Sequence, residues 1–377
     1  MFLTRLVIIG SVCVLLATNS FAANNPQLNK QRLVFQQAQK ALETNQISQF
    51  KKLNSQLNGY SLQPYLDYLY LRHRLNHTDT QTIIQFIKKN EGTFYANRLH
   101  SRWLKRLAHD KKWSLFLSHY KDSPSASRQC LRLQALIATG KGQQALAEIH
   151  PLWLVSRSQD KACDPVFKYW HEQGELTDEL RQQRIMLALY DNQFSLAKYL
   201  AKSLANPTQA TELTALWKKS HHSPLAVLKQ LPGKVKTPLS QDNAVNREII
   251  QHAVKRLSRK STDQAYETWL RIQVAYRFSE QDKLTVHRYI AKRAALSRED
   301  RTLEFFADIP AEPWRVRAAL WQQDWQAVEE AILALNLTAQ KTNRWQYWLA
   351  RSQSELGHQQ AAQNTYQSLI LERDFYS

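Results

Sequence analysis

The chain has 377 residues, a net charge of +19 and only 8 glycines and 11 prolines. So few turn-forming residues argue against an all-β or α/β fold, which needs many tight turns. Amphipathic segments with helical spacing, separated by short polar breaks, fill the rest, so we predict an all-α protein with an extensive buried core.

The first 22 residues are typical of a cleaved export signal. Arg5 precedes the apolar run Leu6 to Leu16, and Ser20 and Ala22 supply small residues before a cleavage site. We therefore predict a signal peptide at 1–22, a mature chain from Ala23, and export. A membrane anchor is the alternative, but the run is short for a bilayer and polar residues follow it directly.

The cysteines point to a disulfide. Cys13 lies in the predicted signal, and Val12 is too large for the residue expected before a lipidated cysteine, so we expect no lipid anchor. The exported chain then carries Cys130 and Cys163, and such a pair in an oxidising compartment predicts a disulfide. Its loop would stabilise the fold by about 3 to 4 kcal/mol. Two unrelated buried thiols are the alternative.

The positive charge suggests a polyanionic partner. Removing the predicted signal removes only Arg5 and leaves a net charge of +18. Such a charge attracts nucleic acid in the cytosol, but an exported protein meets cell-wall polymer and anionic lipid instead. The basic runs are short and scattered, and a solvated helix face explains each of them. The total charge, rather than any single run, therefore indicates a partner.

Several segments share a pattern of helix, tight turn and helix. Gly, Asp and Asn mark the breaks, as chain reversal after a helix requires. Some of these breaks lie about one tetratricopeptide length apart, and elsewhere the period drifts. We therefore predict an irregular superhelical solenoid of antiparallel helix hairpins. The predicted turns lie at 109–111, 139–142, 191–192, 323–324 and Gly357.

No long linker divides the chain. The strongest break is 231–238, where two prolines and a glycine stop one helix and delay the next. Lesser breaks lie at 123–124 and 309–313. We interpret all three as corners between helices and predict one α-superhelical domain at 23–377, with an internal corner near 231–238.

The histidines do not form a convincing metal site. His73 and His77 are four residues apart, a spacing that can place two imidazoles on one ion. Arg72 and Arg74 would repel a cation, so we predict no metal here. We expect His221-His222, in a polar break, to be solvated.

No sequence motif identifies an active site or a cofactor. The chain contains no P-loop, no G-x-G-x-x-G and no G-x-S-x-G. A glycosidase would need two carboxylates across a cleft. The candidate pairs lie among polar helical positions, so we predict solvent-exposed helix faces for Glu299-Asp300, Glu329-Glu330, and Glu172 with Glu175.

Aromatic residues are plentiful, with 11 Trp, 15 Tyr and 13 Phe. A tryptophan can stack on a sugar ring, but most of those singled out follow helical stripes, where core packing is the usual role. We expect ligand contact from one cluster, Trp314 with Arg315 and Arg317, just after the corner at 309–313. The tryptophans predicted to lie in the core are Trp103, Trp113, Trp345 and Trp348.

Several local strings follow the order seen in one protein family. They are Tyr65-Leu66-Asp67-Tyr68, the helix 102–108 with Lys112-Trp113, Gln129-Cys130, Leu152-Trp153-Leu154, Ala162-Cys163-Asp164, 344–348 and Arg373-Asp374-Phe375-Tyr376. In these strings the chain resembles the N-terminal U-shaped superhelical domain of soluble lytic murein transglycosylases, which are periplasmic enzymes of Gram-negative bacteria. The resemblance implies a curved or U-shaped solenoid and matches the family's elements around its disulfide.

The family's catalytic strings do not occur in this sequence. The goose-lysozyme-like catalytic domain carries ES, GLMQ and AYNAG segments, and it cleaves the MurNAc to GlcNAc bond non-hydrolytically to a 1,6-anhydro product. Since none of these segments is present, we expect this chain, as a truncated or split form, to be inactive by itself.

The resemblance implies a role as a periplasmic scaffold that helps to bind or position peptidoglycan. Its partners would be the anionic cell-wall polymer and a catalytic domain or other cell-wall enzymes in trans, with no nucleic acid, no cofactor and no stable membrane anchor. The alternative is a periplasmic tetratricopeptide-like solenoid that binds partner peptides in its concave face. Nucleic-acid binding would require an uncleaved signal and a cytosolic protein.

Overall fold

The computed structural model describes residues 26–233, 235–309 and 311–370. These residues form α-helices joined by turns and short 3-10 segments, with no β-strand among them, so the predicted all-α class is confirmed. The predicted signal peptide at 1–22 and the string Arg373-Asp374-Phe375-Tyr376 lie outside the described residues.

The helices follow one another with short connections. Their bounds are α1 Pro26–Glu43, α2 Ile47–Asn54, α3 Gln63–His73, α4 Thr80–Lys89, α5 Phe94–His109, α6 Trp113–His119, α7 Ala126–Ala138, α8 Gly142–Trp153, α9 Asp164–Glu172, α10 Asp178–Tyr190, α11 Phe194–Lys202, α12 Pro207–His222, α13 Pro224–Leu228, α14 Ala244–Leu257, α15 Thr262–Gln273, α16 Glu280–Ser297, α17 Thr302–Phe305, α18 Pro313–Gln322, α19 Trp325–Leu333, α20 Leu337–Gln340, α21 Asn343–Glu355 and α22 Gln359–Leu369.

The described helices form two compact units. The first comprises residues up to 149 together with 160–168, and the second comprises 150–159 and the residues from 169 onward. The first unit has one large apolar core, in which Phe50, Trp103 and Phe116 are at most 2% exposed. The second unit contains further apolar clusters, one of them around Val316 and Ile332. The single domain predicted for 23–377 stays a prediction.

The described residues of the predicted corner, 231–233 and 235–238, lie inside the second unit, between α13 and α14. The side chain of Arg271 donates a hydrogen bond to the carbonyl oxygen of Leu231. The Nδ2 atom of Asn246 donates to the carbonyl oxygen of Pro238 over 3.0 Å. These bonds satisfy backbone carbonyl groups that have no partner within a helix. They also connect the segment to α14 and α15.

All five predicted hairpin turns are confirmed, and they share one hydrogen-bonding pattern. After α7, the N–H of Gly140 donates to the oxygen of Ile137 over 3.2 Å, and the N–H of Lys141 donates to the oxygen of Leu136 over 2.8 Å. This Schellman pattern satisfies carbonyls that the helix end leaves open. It requires a positive φ at one residue, which is found at Lys111, Gly140, Asn192, Gln323 and Gly357.

The four tryptophans that follow helical stripes pack as predicted. Trp103 is 1% exposed and Trp345 is 6% exposed. Trp113 packs against the first core as a half-buried residue. Trp348 packs in the same way against the cluster around Val316.

Cys130 and Cys163 form a disulfide, with their Cα atoms 4.9 Å apart. It joins α7 to the 3-10 turn Lys161–Cys163, and both residues are fully buried. The side chain of Gln134 also donates to the carbonyl oxygen of Ala162 over 2.7 Å. A covalent bond and a partly buried hydrogen bond therefore fix the same turn to α7.

Candidate functional site

The residues predicted to contact a ligand lie in the first turns of α18, within the second unit. The helix begins at Pro313, which suits the first helical position because its missing N–H would have no partner there. Trp314, Arg315 and Arg317 follow and are all half-buried. The structure therefore places the three residues together, as expected from their spacing.

Arg317 packs between two tryptophans. Its guanidinium carbon lies 4.8 Å from the ring centroid of Trp314 and 5.3 Å from that of Trp345. Its Nη1 atom also donates to the carbonyl oxygen of Pro313 over 3.2 Å. Cation–π contacts of this kind contribute about 0.5 to 2 kcal/mol each. The guanidinium thus ties α18 to α21, and its role as a ligand contact stays a prediction.

Trp314 has one polar and one apolar environment. The Nζ atom of Lys292 on α16 lies 5.4 Å from the Trp314 ring centroid. The indole also packs on the buried cluster that contains Phe305 and Ala291. Among the described residues, the neighbouring Arg315 side chain makes no hydrogen bond or ion pair. Arg315 and Lys292 are therefore the cations of this region with the greatest freedom to meet a ligand.

Trp321, in the last turn of α18, is an exposed indole near Trp314 and was not among the residues predicted from the sequence to contact a ligand. It is 39% exposed, its ring centroid lies 6.4 Å from that of Trp314, and the guanidinium carbon of Arg298 lies 5.1 Å from its own centroid. The available signal was its position seven residues after Trp314, which places both indoles on one helical face. That spacing alone could not show that Trp321 is accessible.

A cavity of about 460 Å³ lies beside Trp321. Its walls come from the loop that follows α16, the start of α17 and the last turns of α18. It is lined by Arg298, Glu299, Asp300, Thr302, Ala318, Trp321 and Gln322.

Hydrogen bonds hold the polar wall of this cavity. The carboxylate of Glu299 accepts a hydrogen bond from the Thr262 hydroxyl. The Nε2 atom of Gln322 donates to the carbonyl oxygen of Asp300 over 2.8 Å. The Asp300 carboxylate itself makes no hydrogen bond or ion pair with the part of the chain that the structure describes. An ordered polar wall beside an exposed indole can bind a ligand that is polar at its edge and apolar on its face.

A larger cleft of about 900 Å³ lies between α12 and the start of α14. Most of its lining is apolar or amide, including Leu213, Leu216 and Val245. The described residues of its lining include no aromatic side chain on which a flat ligand could stack, so the cavity beside Trp321 is the better candidate site for such a ligand.

The two histidines with metal-ligand spacing, His73 and His77, lie in different elements. His73 ends α3, and its Nε2 atom lies 3.1 Å from Oδ1 of Asn45. His77 lies in a separate 3-10 turn. Within the described ranges, no group of three or more His, Cys, Asp or Glu side chains is placed to hold a metal ion.

The prediction that His221 is solvated is wrong. Its Nδ1 atom lies 3.2 Å from Nε2 of His252 on α14, and the two rings stack at 5.3 Å. Burial is the main cause that lowers the pKa of each imidazole to about 4, and the nearby Arg256 contributes. The pair is therefore neutral near pH 7 and connects α12 to α14. His222 is exposed, as expected.

The predicted exposure of the carboxylate pairs is confirmed for most members. Glu172, Glu175, Asp300 and Glu330 are exposed, but Glu299 and Glu329 are half-buried. The prediction failed for these two because Glu299 bonds to Thr262, and Glu329 accepts a hydrogen bond from Gln353 over 3.3 Å.

The carboxylates with a shifted pKa do not resemble a glycosidase acid. Hydrogen bonds lower the pKa of Asp79, Asp191 and Asp282, with Thr82, Arg157 and Ser279 as the respective main partners. A glycosidase acid needs a raised pKa.

None of the helices in the described part of the chain combines the length and apolar character needed to cross a membrane.

Comparison with known proteins gives relatives of one kind. No protein-family model matches the chain. The chain is 26% identical to soluble lytic murein transglycosylase of Escherichia coli over 385 residues, which cover 99% of this chain and 57% of that protein. It is 24% identical to soluble lytic murein transglycosylase of Salmonella typhimurium, over 100% of this chain and 58% of that protein. The chain thus spans less than two thirds of the relatives it matches.

Solved structures agree. Lytic transglycosylase Slt from Pseudomonas aeruginosa, solved as an inactive mutant, is 28% identical with a TM-score of 0.72, over 91% of this chain and 56% of that one. The 70-kDa soluble lytic transglycosylase, in complex with bulgecin A, is 23% identical with a TM-score of 0.77, over 93% of this chain and 57% of that one. The resemblance to soluble lytic murein transglycosylases is therefore confirmed.

Proposed function

We propose that this relative of the soluble lytic murein transglycosylases is an exported, periplasmic scaffold that assists peptidoglycan binding or positioning. The observation that carries the proposal is the similarity over 99% of the chain to enzymes named for murein. The family's cleavage of the MurNAc to GlcNAc bond is not proposed for the described residues. A catalytic domain, in the same polypeptide or in trans, would supply it.

Electrostatics support the binding role. The peptide stems of peptidoglycan carry carboxylates, and the chain has a net charge of +19. Attraction between exposed charges falls off over about 8 Å at physiological ionic strength. Binding of this kind therefore weakens as salt is added, unlike binding through apolar contacts.

Co-sedimentation with purified sacculi tests the proposal. We expect the protein to pellet with sacculi at low salt, and its apparent affinity to fall by about tenfold or more when salt screens exposed charges. Sacculi whose stem carboxylates have been amidated are the matched control and should pellet much less protein. Absence of pelleting at low salt would refute the proposal.

Charge reversal locates the contact. Arg315→Glu and Lys292→Glu change cations beside Trp314 without removing the Arg317 packing, and Lys51→Glu on α2 is a control of equal charge change. We expect the first two variants to weaken sacculus binding more than the control. If all three behave alike and the protein instead captures a defined partner protein, the interaction solenoid is the better description.

Export is tested separately. Protein from a periplasmic extract should begin at Ala23, as the predicted cleavage site requires. An intact N-terminus in the cytosol would remove the periplasmic part of the proposal.

A further inference from the structure

We propose that the cavity beside Trp321 is a subsite for a neutral saccharide unit, with Trp321 as its stacking platform and Asp300 and Gln322 as its hydroxyl-binding groups. The inference rests on the proposed function only in taking the saccharide to be part of the murein glycan strand. The cavity volume of about 460 Å³ lies within the range of small-molecule sites.

The exposed indole suits the apolar face of a pyranose ring. Trp321 is 39% exposed and contributes to the cavity wall, whereas Trp103 and Trp345 are almost fully buried. An indole offers a large flat apolar surface with little conformational freedom to lose on binding. Trp321 can therefore contribute binding free energy that the buried tryptophans cannot.

The side chain of Arg298 packs on the Trp321 ring. Arg298 directly follows α16 and lies in the left-handed region with φ 55°, and its guanidinium carbon lies 5.1 Å from the Trp321 ring centroid. A non-glycine residue adopts this region only at a cost in conformational energy. The Schellman bond from the N–H of Glu299 to the oxygen of Ala294, at 3.1 Å, holds this conformation. The guanidinium therefore lies over one face of the indole, and a sugar ring would stack on the opposite face.

The polar groups suit hydroxyl and amide groups rather than an ion. The cavity lining contains one cation, Arg298, and two carboxylates, Glu299 and Asp300. The adjacent Arg301 pairs with Asp263 and Glu304, at 2.9 Å each, so its charge is largely compensated. In a protein with a net charge of +19, this local balance does not favour an anion. A planar carboxylate and a planar amide instead accept and donate to pairs of sugar hydroxyls.

This charge balance separates the subsite from the electrostatic binding described above. Binding of a neutral sugar should change little with salt, because no net charge is neutralised. Sacculus binding through the basic surface should fall with salt. The two contributions can therefore be measured apart in the same protein.

Titration with chitotetraose, a neutral oligomer of N-acetylglucosamine, tests the subsite by calorimetry and tryptophan fluorescence. We expect saturable binding that changes less than about twofold between low and high salt. Trp321→Ala should weaken it by about tenfold and Trp321→Phe by less, because Phe retains an aromatic face. Asp300→Asn should also weaken binding, and it guards against a folding defect of the alanine variant. Tyr199→Ala removes a more exposed aromatic side chain, 71% exposed, from α11 and should bind as the unchanged protein does.

The outcomes are distinct. Absence of chitotetraose binding, or binding that Trp321→Ala and Asp300→Asn leave intact, overturns the subsite. If sacculi still pellet at low salt in that case, the proposed function stands without it. If chitotetraose binds through Trp321 but sacculi do not pellet, the subsite stands and the proposed function fails.

Discussion

Gly140 and Gly142 lie two residues apart in one hairpin turn, and we expect alanine to have opposite effects at the two positions. Gly140 has φ +78° and is the left-handed residue of the turn after α7. Gly142 is the first residue of α8 and is not among the residues with positive φ. The same substitution therefore tests the conformational argument with almost the same surroundings.

The magnitude at Gly140 follows from conformation alone. A Cβ built there meets no heavy atom within 4 Å, so no steric clash contributes. The left-handed conformation costs an L-residue about 1 to 2 kcal/mol. The lower entropy of the unfolded chain returns about 0.4 to 1 kcal/mol of that. Gly140→Ala should therefore lower the free energy of unfolding by about 0.5 to 1 kcal/mol. Gly142→Ala should raise it by up to about 1 kcal/mol, because alanine is the better helix former.

Urea denaturation of both variants, followed by circular dichroism, measures the two changes. Hydrogen exchange at the Lys141 amide adds a local probe, since this N–H donates to the Leu136 oxygen over 2.8 Å. Gly140→Ala should speed its exchange and Gly142→Ala should not. Equal changes of the same sign in the two variants would refute the reasoning, because φ is positive at Gly140 and not at Gly142.

Three further predictions concern other contacts. Replacing Cys130 and Cys163 together by alanine should lower the free energy of unfolding by about 3 to 4 kcal/mol in denaturant titrations, from the loop of 33 residues that the bond closes; a loss below about 1 kcal/mol would contradict this. The pKa values of His221 and His252, lowered to about 4 from 6.5, mean that the unfolded chain takes up protons first on acidification. The melting temperature should therefore fall as the pH is lowered from about 6.5 to about 4. His252→Gln should make that fall smaller, and an unchanged dependence of the melting temperature on pH would contradict the prediction. Arg317→Lys keeps the charge but loses planar stacking on two tryptophans and should destabilise the protein by about 1 kcal/mol, whereas an unchanged melting temperature would show the stacking to be unimportant.

The hairpin turns were predictable because their chemistry is local. A Schellman turn needs one left-handed residue, so Gly140 and Gly357 mark it directly. At 323–324 the signal came from Asp324, whose carboxylate accepts from the Ala327 N–H over 3.0 Å and caps α19. The left-handed residue there is Gln323, which no turn preference would select. The cap of the next helix therefore located the turn.

The His221 and His252 pair was not predictable in the same way. The two residues are 31 positions apart and meet only because α12 packs against α14. His221 lies in a polar stretch of the sequence, where solvation is the usual outcome. Pairing that depends on which helices touch leaves no local mark in the sequence.

The exposure of Trp321 was also not predictable from local sequence. Helical spacing places Trp321 on one face with Trp314, but it does not show where the neighbouring helix ends. α16 ends at Ser297, and the chain turns at Arg298, which lies over the Trp321 ring. Trp314 packs on the cluster of buried residues from α16 and α17, whereas Trp321, in the last turn of α18, borders the cavity. The candidate site therefore arises where a layer of packed helices stops. That point is set by the relative lengths of α16 and α18, and a hydrophobic stripe on α18 alone carries no information about it.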